Sequence, residues 1–272
     1  MARIELRNVS MTYGLNGTST HALDSVSLQV SDGEFIALIG PSGCGKSTLL
    51  DLVAGLKAPT LGQVSVDGEQ IRKPGPDRGI VFQDYSLFPW MSALENIRFA
   101  LEHSSQKLSR KESLPRAHKY LEIIGLSRFG NNYPSTLSGG MRQRLAIARM
   151  FAMDPRVFLM DEPFGALDAL NRVHMQDLLT YLWTQGGQRK TVLFVTHDVD
   201  EALLLSDRIA IMTPAPGKIK EIIDVPFSRP RCRPELSSSP EYIALRTKLL
   251  ALLYEEMLGD LSRQEKEMRL LK

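Results

Sequence analysis

Residues 40–48 read Gly40-Pro41-Ser42-Gly43-Cys44-Gly45-Lys46-Ser47-Thr48. Glycines at this spacing let the backbone turn tightly and bring its N–H groups toward an anion, and Lys46 adds a point charge. The run matches G-x-x-x-x-G-K-[ST], a pattern suited to cradling phosphate. In front of it the apolar run Phe35-Ile36-Ala37-Leu38-Ile39 reads as a buried strand, and Ser47–Ala54 behind it reads as a helix. That helix would aim its unpaired N–H groups and positive dipole end at the same anion. A glycine-rich turn that binds nothing is the competing reading. The order strand, loop, Lys-Ser, helix stands against it.

Further along, the apolar strand Val157-Phe158-Leu159-Met160 empties into Asp161-Glu162. Two adjacent carboxylates at the end of a buried strand are costly unless a cation or a reaction uses them. Alternation along extended chain aims the two side chains differently, which permits two separate roles. A turn carrying solvated acids is the plainer alternative. Another buried run, Val192–Val195, leads to His197, and Gly79-Ile80-Val81-Phe82 leads to Gln83. Leu137-Ser138-Gly139-Gly140-Met141 opens a helical segment through Arg149. Ser138 is a natural N-cap there, and the helix start again offers N–H groups and a hydroxyl to an anion.

Together these segments resemble the ATP-binding cassette family, the ATPase subunits of ABC transporters. Leu137-Ser138-Gly139-Gly140-Met141 is one residue from the LSGGQ signature, with Met141 where glutamine is usual. The resemblance covers roughly residues 2–225 and implies ATP and Mg²⁺ as ligands. Gly40 through Thr48 would hold the ATP phosphates, with Lys46 reaching the β- and γ-phosphates and Ser47 giving a hydroxyl to Mg²⁺. Asp161 would hold Mg²⁺ through water, and Glu162 would polarise the attacking water. His197 stands at the place of the family's switch histidine, which contacts the γ-phosphate. Gln83 matches the glutamine that senses Mg²⁺ and the attacking water. Tyr13 lies where the family stacks an aromatic on adenine, although a core tyrosine is the rival reading. Ser138, Gly139 and Gly140 would cap the γ-phosphate held by a second cassette, giving a head-to-tail dimer around two ATPs. Ala166-Leu167-Asp168 would run along the same interface.

Asp84-Tyr85-Ser86-Leu87-Phe88-Pro89-Trp90-Met91 follows the glutamine, and exposed Leu87, Phe88 and Trp90 would need a partner surface to bury them. In ABC importers this region docks the membrane permease; a Trp90 folded back onto its own helical lobe is the alternative. Pro76–Gln83 and the Phe-Pro-Trp wording resemble the nitrate, sulfonate and taurine importers. That resemblance implies uptake of a small anion, an external solute-binding protein and a peripheral position on the cytoplasmic face of the inner membrane. A soluble cassette ATPase without a transport role and an exporter subunit are the competing functions. One cassette without long coiled-coil inserts argues against the first.

The elements that must position these residues follow from pattern. Ile4–Val9 and Val26–Val30 alternate and read as antiparallel strands, with Gly14–Thr20 as a flexible loop between them. From about 91 to 153 the pattern is helical, and strands resume at 157, 192 and 208. The expected fold is α/β: a P-loop nucleotidase core, a flanking antiparallel β-subdomain and an inserted helical lobe. Residues 1–225 are expected to form the ATPase domain, and 226–272 a Pro/Arg/Ser-rich linker with a C-terminal helical tail. At 272 residues the chain can bury a full core. A net charge of +2 gives no argument for nucleic acid. No apolar run approaches the ~20 residues that span a bilayer, and the first residues carry no secretory pattern. Two cysteines, Cys44 and Cys232, make neither a disulfide framework nor a metal site.

Overall fold

The computed structural model describes residues 2–15, 18–82, 85–104, 106–165, 167–184 and 189–270. Apolar runs such as Phe35–Ile39 and Val157–Asp161 become buried strands, and segments with helical spacing become helices. In chain order these are β1 (Ile4–Leu15), β2 (Thr18–Val30), β3 (Phe35–Ile39), α1 (Lys46–Ala54), β4 (Leu61–Val66), β5 (Glu69–Gln70) and β6 (Arg78–Val81). There follow α2 (Ala93–Glu102), α3 (Arg110–Ile123), α4 (Gly139–Met153), β7 (Val157–Asp161), α5 (Ala169–Thr184) and β8 (Thr191–Val195). The chain closes with α6 (Val199–Leu205), β9 (Arg208–Met212), β10 (Ile219–Asp224), α7 (Arg233–Ser238) and α8 (Pro240–Leu270). Two compact units result. The first comprises Met1–Ala2, Ser31–Glu34 and Lys73–Phe194; the second comprises Arg3–Val30, Phe35–Arg72 and Val195–Lys272.

In the first unit, β6 and β7 pair in parallel with Arg78 opposite Val157 and Val81 opposite Met160, and β8 lies next to β7. The chain between β6 and β7 is the helical lobe. There α2, α3 and α4 bury Ile97, Leu101, Leu121, Leu145 and Ala148 in one cluster. A capping box starts α2: Ser92 Oγ accepts from the Glu95 N–H at 3.3 Å, while Glu95 accepts from the Ser92 N–H at 2.7 Å.

The second unit holds an antiparallel sheet in the order β2-β1-β4-β5. Ile4 pairs with Val30 on one side and Val66 on the other. Ile4 and Leu6 are buried while Arg7 is exposed, the period of two expected of a strand with one solvated face. The expectation of a flexible Gly14–Thr20 loop is corrected for its described residues: Gly14 pairs with Ser19 and Leu15 with Thr18, so both strands extend into that stretch. The β-branched threonines of this stretch suit extended backbone. Asn16 and Gly17 lie outside the described residues. In the same unit β9 runs parallel to β3, and β10 is antiparallel to β9. All five residues of β3 are buried, as a strand covered on both faces requires.

The stretch 226–240, expected to be a linker, is tied to its unit by two arginines. Helix α6 ends at Leu205, and its last carbonyls need donors. Arg231 Nη1 donates to the carbonyl oxygens of Leu203, Leu204 and Ser206 at 2.9, 3.0 and 2.7 Å. Arg229 donates to Asp207 Oδ1 at 2.9 and 3.0 Å and to the Leu205 carbonyl. Burial, reinforced by the charge of Arg229, draws the Arg231 pKa down to about 10. Helix α8 then lays Tyr242 and Leu249 inward, and Asp200 accepts from Tyr242 Oη and Arg246 Nε, each at 2.6 Å. Arg231→Ala strips three carbonyls of their donor at once. It is expected to cost about 1.5–3 kcal/mol and to lower the calorimetric Tm by about 3–10 °C. An unchanged Tm would show that water replaces the guanidinium at no cost.

Candidate nucleotide site and partner surface

In the second unit the phosphate loop leaves the buried end of β3 and enters α1. Gly43 and Gly45 have φ of +77° and +94°, a left-handed backbone that glycine adopts without a steric penalty. A Cβ at Gly45 would also fall 2.6 Å from Leu23 Cδ2. Gly45 caps α1 with no side-chain hydrogen bond, which leaves the first N–H groups of that helix for a ligand. Lys46 is only 7% exposed. Its Nζ donates to the carbonyls of Gly40 and Pro41 at 2.8 and 2.9 Å and reaches Cys44 Sγ at 3.7 Å. Among the described residues no carboxylate pairs with it. A buried ammonium held only by neutral acceptors is costly. A polyanion beside it removes that cost, so the loop fits the phosphates of ATP. Burial pushes the Cys44 thiol up, with Lys46 opposing, so Cys44 is a neutral packing group.

Tyr13 is half-buried beside α1. Its hydroxyl lies 3.1 Å from Thr48 Oγ1 and accepts from Lys57 Nζ at 3.0 Å. The ring is thus anchored by its edge to the helix that the phosphate loop feeds. His197 is exposed at the turn after β8. The turn around it is held by Asp198, which accepts from the N–H groups of Asp200 and Glu201 at 2.8 and 3.1 Å. Thr196 Oγ1 donates to the buried Glu201 carboxylate at 2.6 Å.

In the first unit, Asp161 closes β7 and Glu162 follows with φ +44°. A left-handed backbone at a residue with a side chain costs about 1–2 kcal/mol, and strain of this kind gathers at functional positions. Both carboxylates are half-buried. Asp168 accepts from the Asn171 N–H at 3.0 Å and from its Nδ2 at 2.6 Å, which holds its carboxyl below the usual range. Gln83 and Ala166 lie outside the described residues. Ser138 is the N-cap of α4, as expected, and accepts from the Met141 N–H at 3.3 Å. The Met141 side chain packs against the helical-lobe core, so the residue that departs from the signature serves packing. Tyr85, at φ +68°, sits under the Arg142 guanidinium at 5.6 Å. Its hydroxyl would lie 3.6 Å from a Cβ at Gly139.

The segment after Tyr85 differs from its expectation in one respect. Leu87 packs against the lobe core and Phe88 is half-buried, so they do not form an exposed apolar loop with Trp90. Phe88 meets Phe99 edge-on at 4.9 Å and lies 5.0 Å from the Arg149 guanidinium. Trp90 is 69% exposed. The residue responsible was not anticipated. Fully buried Asn96 accepts from the Phe88 N–H at 3.0 Å and donates to the carbonyls of Phe88, Met91 and Ser92 at 3.2, 3.1 and 3.0 Å. It pins both ends of the Phe-Pro-Trp turn. An asparagine one residue past the capping-box Glu95 was the available signal. Arg149 was also missed; burial lowers its pKa, and among the described residues its Nη1 makes no hydrogen bond.

Residues 23–165, more than half of the chain, match the family described as ABC transporter. The chain therefore belongs to the ABC transporter family, as one of its ATP-binding and ATP-hydrolysing cassettes. An uncharacterized ABC transporter ATP-binding protein of Methanocaldococcus jannaschii is 45% identical over 259 residues, 95% of this chain and 94% of the relative. The nitrate import ATP-binding protein NrtD of Synechococcus elongatus is 48% identical over 240 residues, 88% of this chain and 87% of the relative. The bicarbonate transport ATP-binding protein CmpD of Synechocystis sp. is 45% identical over 262 residues, 95% and 92% of the two chains. A solved dimeric structure of an ATP-binding cassette, in a post-hydrolysis state bound to ADP and Pi, superposes with TM-score 0.72 at 35% identity. It covers 83% of this chain and 100% of that one.

Proposed function

We propose that this chain hydrolyses ATP to energise uptake of a small anion, of the nitrate, bicarbonate, sulfonate or taurine kind, through a separate membrane permease. Near full-length identity to nitrate and bicarbonate import cassettes carries this reading. The exposed Trp90 on its Asn96-braced turn supports it. The cassette would sit peripherally on the cytoplasmic face of the membrane, with an external solute-binding protein completing the system. Among the described residues no helix is long and apolar enough to cross a membrane. Residues 1–225 would be the ATPase domain, and 226–272 its anchored tail.

Phosphoryl transfer asks mainly for positioning and charge neutralisation. Lys46 would neutralise the β- and γ-phosphates, which the N–H groups of residues 40–48 cradle, while Tyr13 stacks on the adenine. Glu162 would accept the proton of the attacking water, and His197 and Gln83 would hold that water and the γ-phosphate in line. Ser138, Gly139 and Gly140 would complete the site of a second cassette in a head-to-tail dimer. Ser47, Asp161 and Gln83 are oxygen donors suited to Mg²⁺. Mg²⁺ beside a nucleotide commonly takes part of its oxygen shell from the phosphates themselves. Mg²⁺ there would supply further charge neutralisation. Tyr85, beside Gly139 and Arg142 at the start of α4, would give dimer closure a short route toward the Trp90 turn.

Trp90→Ala tests the partner surface without touching the lobe core. Tagged protein from detergent-solubilised native membranes is expected to bring down a multi-spanning permease, and the variant to lose it at unchanged Tm. A permease retained by the variant would remove Trp90 from the interface. Wild-type recovery with ribosomes, DNA-repair proteins or nothing membranous would favour a soluble ATPase.

A further inference from the structure

Within the first unit a cavity of about 620 Å³ opens where α3 faces the C-terminal ends of α4 and α5. Its volume falls in the range of small-molecule sites. Its floor is apolar: Phe151, Leu182 and Trp183 line it and are each buried. One face of α3 forms the wall. Arg116, Lys119, Tyr120 and Ile123 recur at the three- and four-residue spacing that aligns helical side chains. Tyr120 is locked there, its hydroxyl donating to the Phe151 carbonyl at 3.3 Å. The charges do not cancel. Asp154, the one carboxylate among the lining residues, is paired with Lys190 at 2.7 Å. Arg116 donates to a neutral partner, Gln106 Oε1, at 2.8 Å. Glu112, one turn away on α3, accepts from the Ser109 N–H and hydroxyl at the helix cap. Lys119 is exposed and has no anionic partner among the described residues.

We infer that this cavity is a binding site for a small amphipathic anion, a carboxylate or sulfonate head on an apolar tail. The tail would cover Phe151, Leu182 and Trp183, and the head would lie between Arg116 and Lys119. A guanidinium and an ammonium on one helix face, above an apolar floor, select such a ligand over a neutral or cationic one of the same length. The occupant would brace α3 against the far end of α4, the helix that begins with the Ser138-Gly139-Gly140 signature. The site shares no residue with the nucleotide-binding segments, so it stands or falls independently of the transport reading.

Octanoate is the test ligand, followed by titration calorimetry and by Trp183 fluorescence in a Trp90→Phe background that leaves one tryptophan. One molecule is expected to bind saturably with a submillimolar Kd, with 1-octanol binding at least about tenfold more weakly. Arg116→Ala/Lys119→Ala changes two exposed side chains and is expected to keep the wild-type circular dichroism. It should weaken octanoate about tenfold or more while leaving octanol unchanged. Saturating ATP should leave the stoichiometry at one. The inference is overturned by an absence of saturable binding, equal affinity for octanol, no effect of the double variant, or displacement of octanoate by ATP. It is also overturned if phosphatidylglycerol vesicles capture the protein while free octanoate does not titrate, since the anion would then be a lipid surface.

Discussion

Glu162→Gln is expected to lower steady-state ATP hydrolysis by about 10²- to 10⁴-fold, the usual worth of a positioned general base, while ATP binding persists. The amide keeps the size and reach of the carboxylate but cannot take a proton from water. The variant should therefore accumulate as an ATP-dependent dimer, seen by light scattering after gel filtration and absent with ADP. Backbone strain offers a second handle. At φ +44° a side chain is tolerated at a cost, so Glu162→Gly should be inactive while relieving that backbone strain. That combination marks a position held for chemistry. Wild-type turnover in Glu162→Gln would sink the assignment, and the base would have to be sought elsewhere.

Lys46→Met separates binding from folding. The methionine keeps most of the buried stem and removes the ammonium, whose partners here are the neutral Gly40 and Pro41 carbonyls and Cys44 Sγ. Without nucleotide the Tm should not fall, because an uncompensated buried charge has been taken away. With ATP the wild type should gain Tm by mass action and the variant should not. In phosphate-release assays kcat/KM is expected to drop by about 10²–10³-fold, as when one preorganised donor to developing charge is deleted. A variant that loses Tm in the absence of ATP would mean that Lys46 chiefly holds the loop together. One that still gains Tm from ATP would move phosphate recognition to the backbone N–H groups alone.

Much of the molecule was legible in the chain itself. The phosphate loop, the strand ending in Asp161-Glu162 and the Ser138-capped helix are local events. Glycine at positive φ, an apolar run bounded by acids and a serine at a helix start each depend on a few neighbouring residues. The helical lobe and the strands at 157, 192 and 208 were legible for the same reason, since periodicity is a local property. The chemistry that makes this an ATPase is written in contiguous motifs.

Only the tertiary structure decided what each side chain meets. It drew Gly14–Leu15 and Thr18–Ser19 out of the expected loop into paired strands, because the register of the long flanking strands carries the pairing on into them. It assigned Met141 to packing in the lobe and Arg229 and Arg231 to the open end of α6. It half-buried Leu87 and Phe88, leaving Trp90 outside, because Asn96 happens to face both ends of that turn. It also set Arg116 and Lys119 above an apolar floor supplied by helices that begin tens of residues away in sequence. Burial and counter-charge are properties of the packed chain. The motifs determine which reaction can occur, and packing determines which surfaces remain free to be regulated or bound.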